Sequence, residues 1–381
     1  MHLTLHLTAS CNLRCRYCYA TGRDKGTMTL DTARAAIALG MAELRKKDAK
    51  ASLGVIFFGG EPLLQRELIR EIVRHCRTLE AASGQVFHFK IITNGTLLDE
   101  AFLTDPDTRE IFVAFSHDGV EAAHDANRVD AEGRGTFAQL SPTMALLLRH
   151  KPYAPTMLVV TPHTVRHYAD SVAYLFDRGV RYLICSLDYS GAWDAATLKE
   201  LERQYKTLAA WYARLTLAEE KFYFSPFEVK IASHIYPGSC RSDRCELGQR
   251  QVSVAPDGRL YPCVQFVGDA DYGIGDVHAG LDEAARRRLY TLNAEEKAEC
   301  AACAVRERCN HFCGCLNRQA TGRLDRVSPV LCAHERIVLP IADRLAARLY
   351  QQRSAMFIQK HYNALFPLLS LVEDRTTGIG Q

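Results

Sequence analysis

Hydrophobic and polar positions alternate along His2–Thr8, with Leu3, Leu5 and Leu7 on one face, the period-two signature of a strand. An amphipathic stretch follows, starting near Thr29 or Asp31 and running to about Leu44, and reads as a helix. Leu53–Phe58 is an almost unbroken apolar run, the pattern of a strand buried on both faces of a parallel sheet. Glu67–Leu79 returns to helical spacing. Strand patterns recur at Phe87–Ile92, Ile111–Phe115, Thr156–Val160 and Tyr182–Leu187. Helical candidates lie between and after them at Leu97–Leu103, Phe137–Arg149, Thr164–Asp177 and Ala195–Leu217. Six strand–helix units predict an α/β protein with a parallel sheet and right-handed crossovers, an incomplete (β/α)6 TIM-like barrel or a doubly wound open sheet.

Composition narrows the class. The chain has 381 residues, 48% hydrophobic and 24% charged, enough for a large core and a smaller one. A formal charge of +3 and only short basic runs give no footprint for nucleic acid. No apolar run approaches the roughly 20 residues of a membrane span, and MHLTLHLTAS does not read as a signal peptide. Fourteen cysteines without an export signal point to metal ligands in a reducing cytoplasm rather than to disulfides.

Three of those cysteines, Cys11, Cys15 and Cys18, stand in SCNLRCRYCYA as C-x3-C-x2-C. Three thiolates can hold three irons of a four-iron cube and leave the fourth open for chemistry. The alternative is a zinc knuckle completed by His2 or His6. In a parallel α/β fold this loop, after the first strand, opens at the C-terminal ends of the strands, where such folds place their sites. Strand two ends there in Gly59-Gly60-Glu61-Pro62; glycines let a backbone approach a ligand, and Pro62 suits a first helical position. Strand three ends in Thr93-Asn94-Gly95 and strand four in Ser116-His117-Asp118-Gly119, both turn-forming sequences.

CNLRCRYCY followed by FFGGEPLL resembles the radical S-adenosylmethionine (radical SAM) enzymes. The resemblance implies a [4Fe–4S] cluster on Cys11, Cys15 and Cys18, with SAM chelated at the open iron and cleaved to a 5′-deoxyadenosyl radical. It places Tyr17 beside the adenine (or simply packed under the loop) and Gly59, Gly60, Glu61 and Pro62 at the methionine amine. Asn94, Ser116 and Arg128 fall at SAM contacts, with a structural ion pair as the other reading of Arg128. The segment from Ser116 to Phe137 is similar to one shared by sulfatase-maturating enzymes and peptide-modifying relatives; His117 and His124 within it read as ordinary polar residues.

Cysteine density rises again after Pro226. Cys245, Gly258 and Cys263 form C-x12-G-x4-C; Cys300, Cys303, Cys309 and Cys313 form C-x2-C-x5-C-x3-C; Cys332 comes last. Val252–Ala255 and Arg259–Pro262 flank Pro256-Asp257-Gly258 as a hairpin that returns Cys263 toward Cys245. This order resembles the SPASM domain, an extension of radical SAM enzymes with two auxiliary [4Fe–4S] clusters. By position, Cys240, Cys245, Cys263 and Cys313 would hold the first cluster, and Cys300, Cys303, Cys309 and Cys332 the second. Without Cys240 an iron of the first would stay open. Cys76 reads as a core residue, Cys185 sits on strand six, and Cys315 could replace Cys313 in another loop register. The expected divisions are a radical SAM partial barrel over 1–225, a SPASM domain over 226–335, and a helical segment with a tail over 336–381. One or two amphipathic helices fill residues 336–372, and the tail from Asp374 is expected to be disordered.

In sulfatase-maturating enzymes an Asp acting as base follows the cysteine equivalent to Cys263; here that position is Val264. Asp118, Asp188 and Tyr189 lie near strand ends as other proton acceptors, and Asp188 is taken as the candidate base. The resemblance implies a maturase of a ribosomally made precursor peptide, forming a thioether or C–C crosslink. With ten residues before Cys11, a separate leader-peptide-binding protein, the C-terminal segment or the barrel mouth would recognise the leader, and a flavodoxin- or ferredoxin-type protein would supply electrons. The alternatives are a formylglycine-generating sulfatase maturase, a non-catalytic iron–sulfur electron carrier and a zinc-stabilised binding protein.

Overall fold

The computed structural model describes residues 1–20, 26–47, 51–236, 238 and 245–376. Six parallel strands carry the barrel: β1 (His2–Thr8), β2 (Leu53–Gly59), β3 (Phe87–Thr93), β4 (Phe112–Ser116), β5 (Pro155–Val160) and β6 (Tyr182–Leu187). They lie side by side in sequence order. Helices α1 (Leu30–Lys47), α2 (Arg66–Ser83), α3 (Glu100–Thr104), α4 (Glu121–Asn127), α5 (Phe137–His150), α6 (Tyr168–Asp177) and α7 (Ala195–Leu217) fill the connections. Leu3, Leu5 and Leu7 of β1 are fully buried, as the alternation requires, and so are Val55 and Phe57 of β2. The fold is a partial barrel.

The sheet is wider than six strands. A short β7 (Tyr223–Phe224) adds parallel to β6 at one edge. At the other, β8 (Gln251–Val254) pairs in parallel with β1, from His2 opposite Gln251 to Leu5 opposite Val254, and β9 (Leu260–Tyr261) returns antiparallel to β8. The expected hairpin forms, with Gly258 at φ +94° in its turn. The cysteine-rich part thus shares its first strand pair with the barrel sheet.

Other differences are local. The helix expected from Leu97 begins only at Glu100, because Asp99 stays extended and caps it, accepting from the Phe102 N–H at 2.9 Å. The stretch from Thr164 splits into a 3-10 turn (Val165–His167) and α6. Beyond the barrel lie α8 (Ser225–Ile235), α9 (Glu283–Ala294) and α10 (Gly314–Thr321). They are followed by α11 (Pro329–Gln351), α12 (Ala355–Tyr362) and α13 (Phe366–Thr376). α11 packs on α7 and α8, so the C-terminal segment is built onto the barrel. The expected disordered tail starts too early, since α13 runs through Asp374 to Thr376. Among the described residues no helix is long and apolar enough to cross a membrane.

Candidate functional site

The loop after β1 is held by the ends of the neighbouring strands. The Gly60 N–H donates to the Thr8 carbonyl at 2.8 Å and the Glu61 N–H to the Ser10 carbonyl at 2.9 Å. A Cβ on Gly60 would stand 2.1 Å from the Ser10 oxygen, and one on Gly59, whose φ is +131°, 2.4 Å from the Thr8 oxygen. The glycine pair is therefore required by the approach of the two loops.

Glu61 is turned away from the loop after β1. One carboxylate oxygen accepts from the Leu63 N–H at 3.0 Å and the Thr93 hydroxyl at 2.7 Å, and the other from the Asn94 N–H at 2.8 Å. Burial pushes its pKa up, and those three bonds oppose the shift. Pro62 opens the 3-10 turn that follows. Asn94 is tied to the cysteine loop: its Nδ2 donates to Asn12 Oδ1 at 3.0 Å and lies 3.8 Å from Cys11 Sγ. Asn12 reaches back to the Thr96 hydroxyl at 2.7 Å. Nothing in the spacing singled out Asn12; only its place between two cysteines hinted at a fixed side chain.

Cys11, Cys15 and Cys18 lie within electrostatic reach of one another. The Leu13 N–H donates to Cys11 Sγ at 3.4 Å and the Cys18 N–H to the Cys15 carbonyl at 3.1 Å. Burial raises the Cys15 thiol to about 11. Three thiols on one short loop, with amide donors aimed at one sulfur, are a donor set suited to iron and fit a cluster with one open corner.

Below the loop sits a buried polar group. The Tyr17 hydroxyl donates to Asp118 Oδ2 at 2.7 Å, Arg128 Nε lies 3.2 Å from the same oxygen, and the guanidinium stands 5.5 Å from the Tyr17 ring centroid. Asp118 Oδ1 accepts from the Val159 N–H at 3.1 Å. Arg128 and Tyr17 are thus both tied to the Asp118 carboxylate. Ser116 ends β4, paired with Met157 of β5. His117 and His124 are buried: the Gly119 N–H donates to His117 Nδ1 at 3.1 Å, and His124 Nε2 lies 3.0 Å from the Thr136 hydroxyl.

A small cavity joins this region to the cysteine-rich part, lined by His6, Tyr19, Gly59, Gly60, Val264 and Val267 among others. His6 is buried, its Nε2 has no partner among the described residues, and burial lowers its pKa to about 3. The alternation along β1 sets His6 opposite the leucines; its place beside Val264 needed the fold. Asp188 follows β6, but its Oδ1 accepts from the Ser190 N–H at 3.1 Å and hydroxyl at 2.6 Å, closing a turn.

The C-terminal cysteines influence one another electrostatically in two groups. Cys245 stands within reach of Cys263 and Cys313, and burial lifts its thiol to about 12. Cys315 joins them: its Sγ lies 3.4 Å from Cys313 Sγ, and it hydrogen-bonds both Cys263 and Cys313, drawing their thiols down. Cys300, Cys303 and Cys332 lie within electrostatic reach of one another, and Cys309 within reach of Cys332. Cys240 lies outside the described residues. Cys76 is buried in the core. Cys185 is turned to Tyr168, to which it hydrogen-bonds.

Residues 5–185 match the model of the radical SAM superfamily. The serine-type anaerobic sulfatase-maturating enzyme of Klebsiella aerogenes is 25% identical over 333 residues, covering 83% of this chain and 80% of that protein. The antilisterial bacteriocin subtilosin biosynthesis protein AlbA of Bacillus subtilis is 26% identical over 285 residues, covering 73% and 57%. Among solved structures, anSMEcpe with bound AdoMet superposes with a TM-score of 0.77 at 21% identity, covering 92% of this chain and 99% of that one. Streptococcus suis SuiB bound to precursor peptide SuiA gives 0.58 at 14%, covering 87% and 75%. Residues 5–185 are therefore a radical SAM domain, which implies a [4Fe–4S] cluster and SAM. Over 83% and 73% of its length respectively, the chain is homologous to the Klebsiella sulfatase-maturating enzyme and to AlbA, and its fold is the one that anSMEcpe and SuiB share.

Proposed function

We propose that the chain is a cytoplasmic maturase of a ribosomally made precursor peptide, introducing a thioether or C–C crosslink. The observation that carries this reading is the pairing of the radical SAM domain with a cysteine-rich segment whose strand β8 joins the barrel sheet beside β1. Peptides are bound in structures of both relatives, the Cp18Cys peptide in anSMEcpe and SuiA in SuiB. When bound, the cluster and SAM supply a 5′-deoxyadenosyl radical that takes a hydrogen atom from substrate.

The chain's own residues have distinct tasks in this reading. Cys11, Cys15 and Cys18 hold the cluster, and Asn94 fixes their loop against β3. Gly59 and Gly60 bring the β2 turn against that loop and leave backbone room for the methionine end of SAM, with Tyr17, Pro62, Ser116 and Arg128 building its walls and Glu61 tying the β2 turn to β3. Cys245, Cys263 and Cys313, with Cys240, would hold a first auxiliary cluster, and Cys300, Cys303, Cys309 and Cys332 a second. Their task is to accept the electron left after bond formation. Residues 1–225, 226–335 and 336–381 are the matching units. A flavodoxin- or ferredoxin-type reductant and a separate leader-binding protein complete the system. Asp188 is the proposed proton acceptor: Asp188→Asn should keep SAM cleavage and lose product, and equal turnover would remove it from that role.

Sulfatase maturation is the second reading, favoured by the length of the match to the Klebsiella enzyme. Val264, apolar at the position after Cys263, stands against it, because no carboxylate faces that cavity among the described residues. The reconstituted enzyme, with SAM, dithionite and the Cp18Cys peptide, decides between them. Deoxyadenosine without aldehyde on the peptide fits the crosslinking reading; formylglycine on the peptide replaces it.

A further inference from the structure

Among the described residues no strand pairs with the outer edge of β6 over its C-terminal half. β6 pairs with β5 from Tyr182 to Leu187, whereas β7 covers only Tyr182 and Leu183 before the chain turns into α8 at Ser225. Hydrogen bonding fixes which residues address that edge. The Asp188 N–H donates inward to the Val160 carbonyl at 2.8 Å. On the outer side the Tyr223 N–H donates to the Arg181 carbonyl at 2.7 Å, and the Cys185 N–H to the Ser225 hydroxyl at 3.0 Å. The backbone groups of odd-numbered β6 residues thus point to the outer edge; the Leu187 carbonyl accepts from the Ser186 hydroxyl at 3.3 Å, and the Leu187 N–H is the next in the series beyond the reach of β7.

This edge opens into a cavity of about 600 Å³, lined by Cys185, Ser186, Leu187, Tyr223 and Asn310 among others. Its size falls within the roughly 300–1,000 Å³ of ligand sites. The charges around it are already matched. Lys230 lies 2.6 Å from Glu335, Arg308 2.6 Å from Asp343, and His334 is bracketed by the hydroxyls of Tyr189 at 2.9 Å and Tyr205 at 2.7 Å. A ligand selected by charge would find these partners engaged. What the cavity offers is strand backbone, and the chemistry that answers a bare strand edge is another extended main chain.

We propose that an extended segment of the substrate peptide docks in this cavity as an added strand on β6, opposite Cys185–Leu187. The proposal rests on the peptide-maturase reading and adds where and how the main chain is held. Side chains of an added strand alternate between two faces. On β6 these faces differ, with Leu183 and Leu187 buried on one and Tyr182 and Ser186 exposed on the other. The enzyme would therefore read every second substrate residue differently.

The test uses the reconstituted enzyme with SAM and the Cp18Cys peptide as probe, since main-chain pairing is tolerant of side chains. Hydrogen exchange is followed at Ile184–Leu187 with and without peptide, and single N-methyl groups are walked along the peptide. The expected result is exchange slowed about tenfold at the Leu187 amide, with binding weakened about tenfold by methylation at alternate positions within one stretch. Binding without that alternation, or with Leu187 unprotected, overturns the docking mode and leaves the peptide reading standing. No binding by this probe or by a random-sequence peptide pool overturns both.

Discussion

Asn94, on the turn after β3, points its side-chain amide at the sulfur of Cys11 on the loop after β1, 3.8 Å away, while holding Asn12 of the same loop at 3.0 Å. One side chain thus fixes both the position of the first cysteine and the polarity around its sulfur. Partners of this kind, one bond removed from a metal, typically carry about 10–100-fold in metal affinity or activity. Asn94→Ala should lower SAM cleavage by that order and release iron faster to a chelator, with the melting temperature of the apo protein little changed. Chelation kinetics beside a thermal melt separate the two effects.

Gly60 tests the approach of the two loops. A methyl group there would meet the Ser10 carbonyl at 2.1 Å, and that backbone cannot yield without moving the cysteine loop. Overpacking costs about 1–3 kcal/mol in well-packed sites. Gly60→Ala should reach the upper end of that range in denaturant unfolding and reduce iron bound per chain. An unchanged iron content would show that the loops are not held as described.

Lys230 and Glu335 link α8 to α11 through a 2.6 Å ion pair whose side chains are only 9% and 3% exposed. Removing one charge leaves the other buried and unpaired, a loss of about 3–5 kcal/mol. Lys230→Met should destabilise by that amount, and Lys230→Met with Glu335→Leu should recover most of it. Urea unfolding of the three proteins checks the prediction.

Stability should fall on acidification. His117 is fully buried, and burial, helped by the nearby Arg128 charge, lowers its pKa from 6.5 to about 3. The unfolded chain therefore binds more protons than the native one between those values, so the contribution is complete above pH 6.5 and shrinks as pH falls. At pH 5 the loss is about 2 kcal/mol, taking 1.36 kcal/mol per pH unit. Unfolding of the apo protein from pH 7 to 5 should show a slope steeper than this, because burial holds His6, His334 and His361 low as well, and His117→Asn should flatten it by one proton.

Much of the barrel was legible because its strands are buried and strongly patterned. β6 and α7 occupy the expected ranges, since Tyr182–Leu187 and Ala195–Leu217 are bounded by clear polar breaks. β7 was not legible; two residues carry no period, and they become a strand only because β6 offers an edge. The pairing of β8 with β1 was equally hidden, being a contact between segments more than two hundred residues apart in the chain. At the site, the cysteines and glycines stood out because their chemistry is rare and their spacing fixed. The roles of Asn12, His6 and Cys315 depend on which turns meet in space. Glu61 shows the limit from the other side: its carboxylate, read as facing a ligand, is spent on Leu63, Thr93 and Asn94.

The most direct test of the account is iron and sulfide per chain after anaerobic reconstitution, in the wild type and in a variant with Cys11, Cys15 and Cys18 all replaced by alanine. The account predicts about twelve irons in the wild type and about eight in the variant, with SAM cleavage lost only in the latter. About four irons in the wild type, with zinc making up the remainder, would contradict it and reduce the C-terminal cysteine sets to structural metal sites.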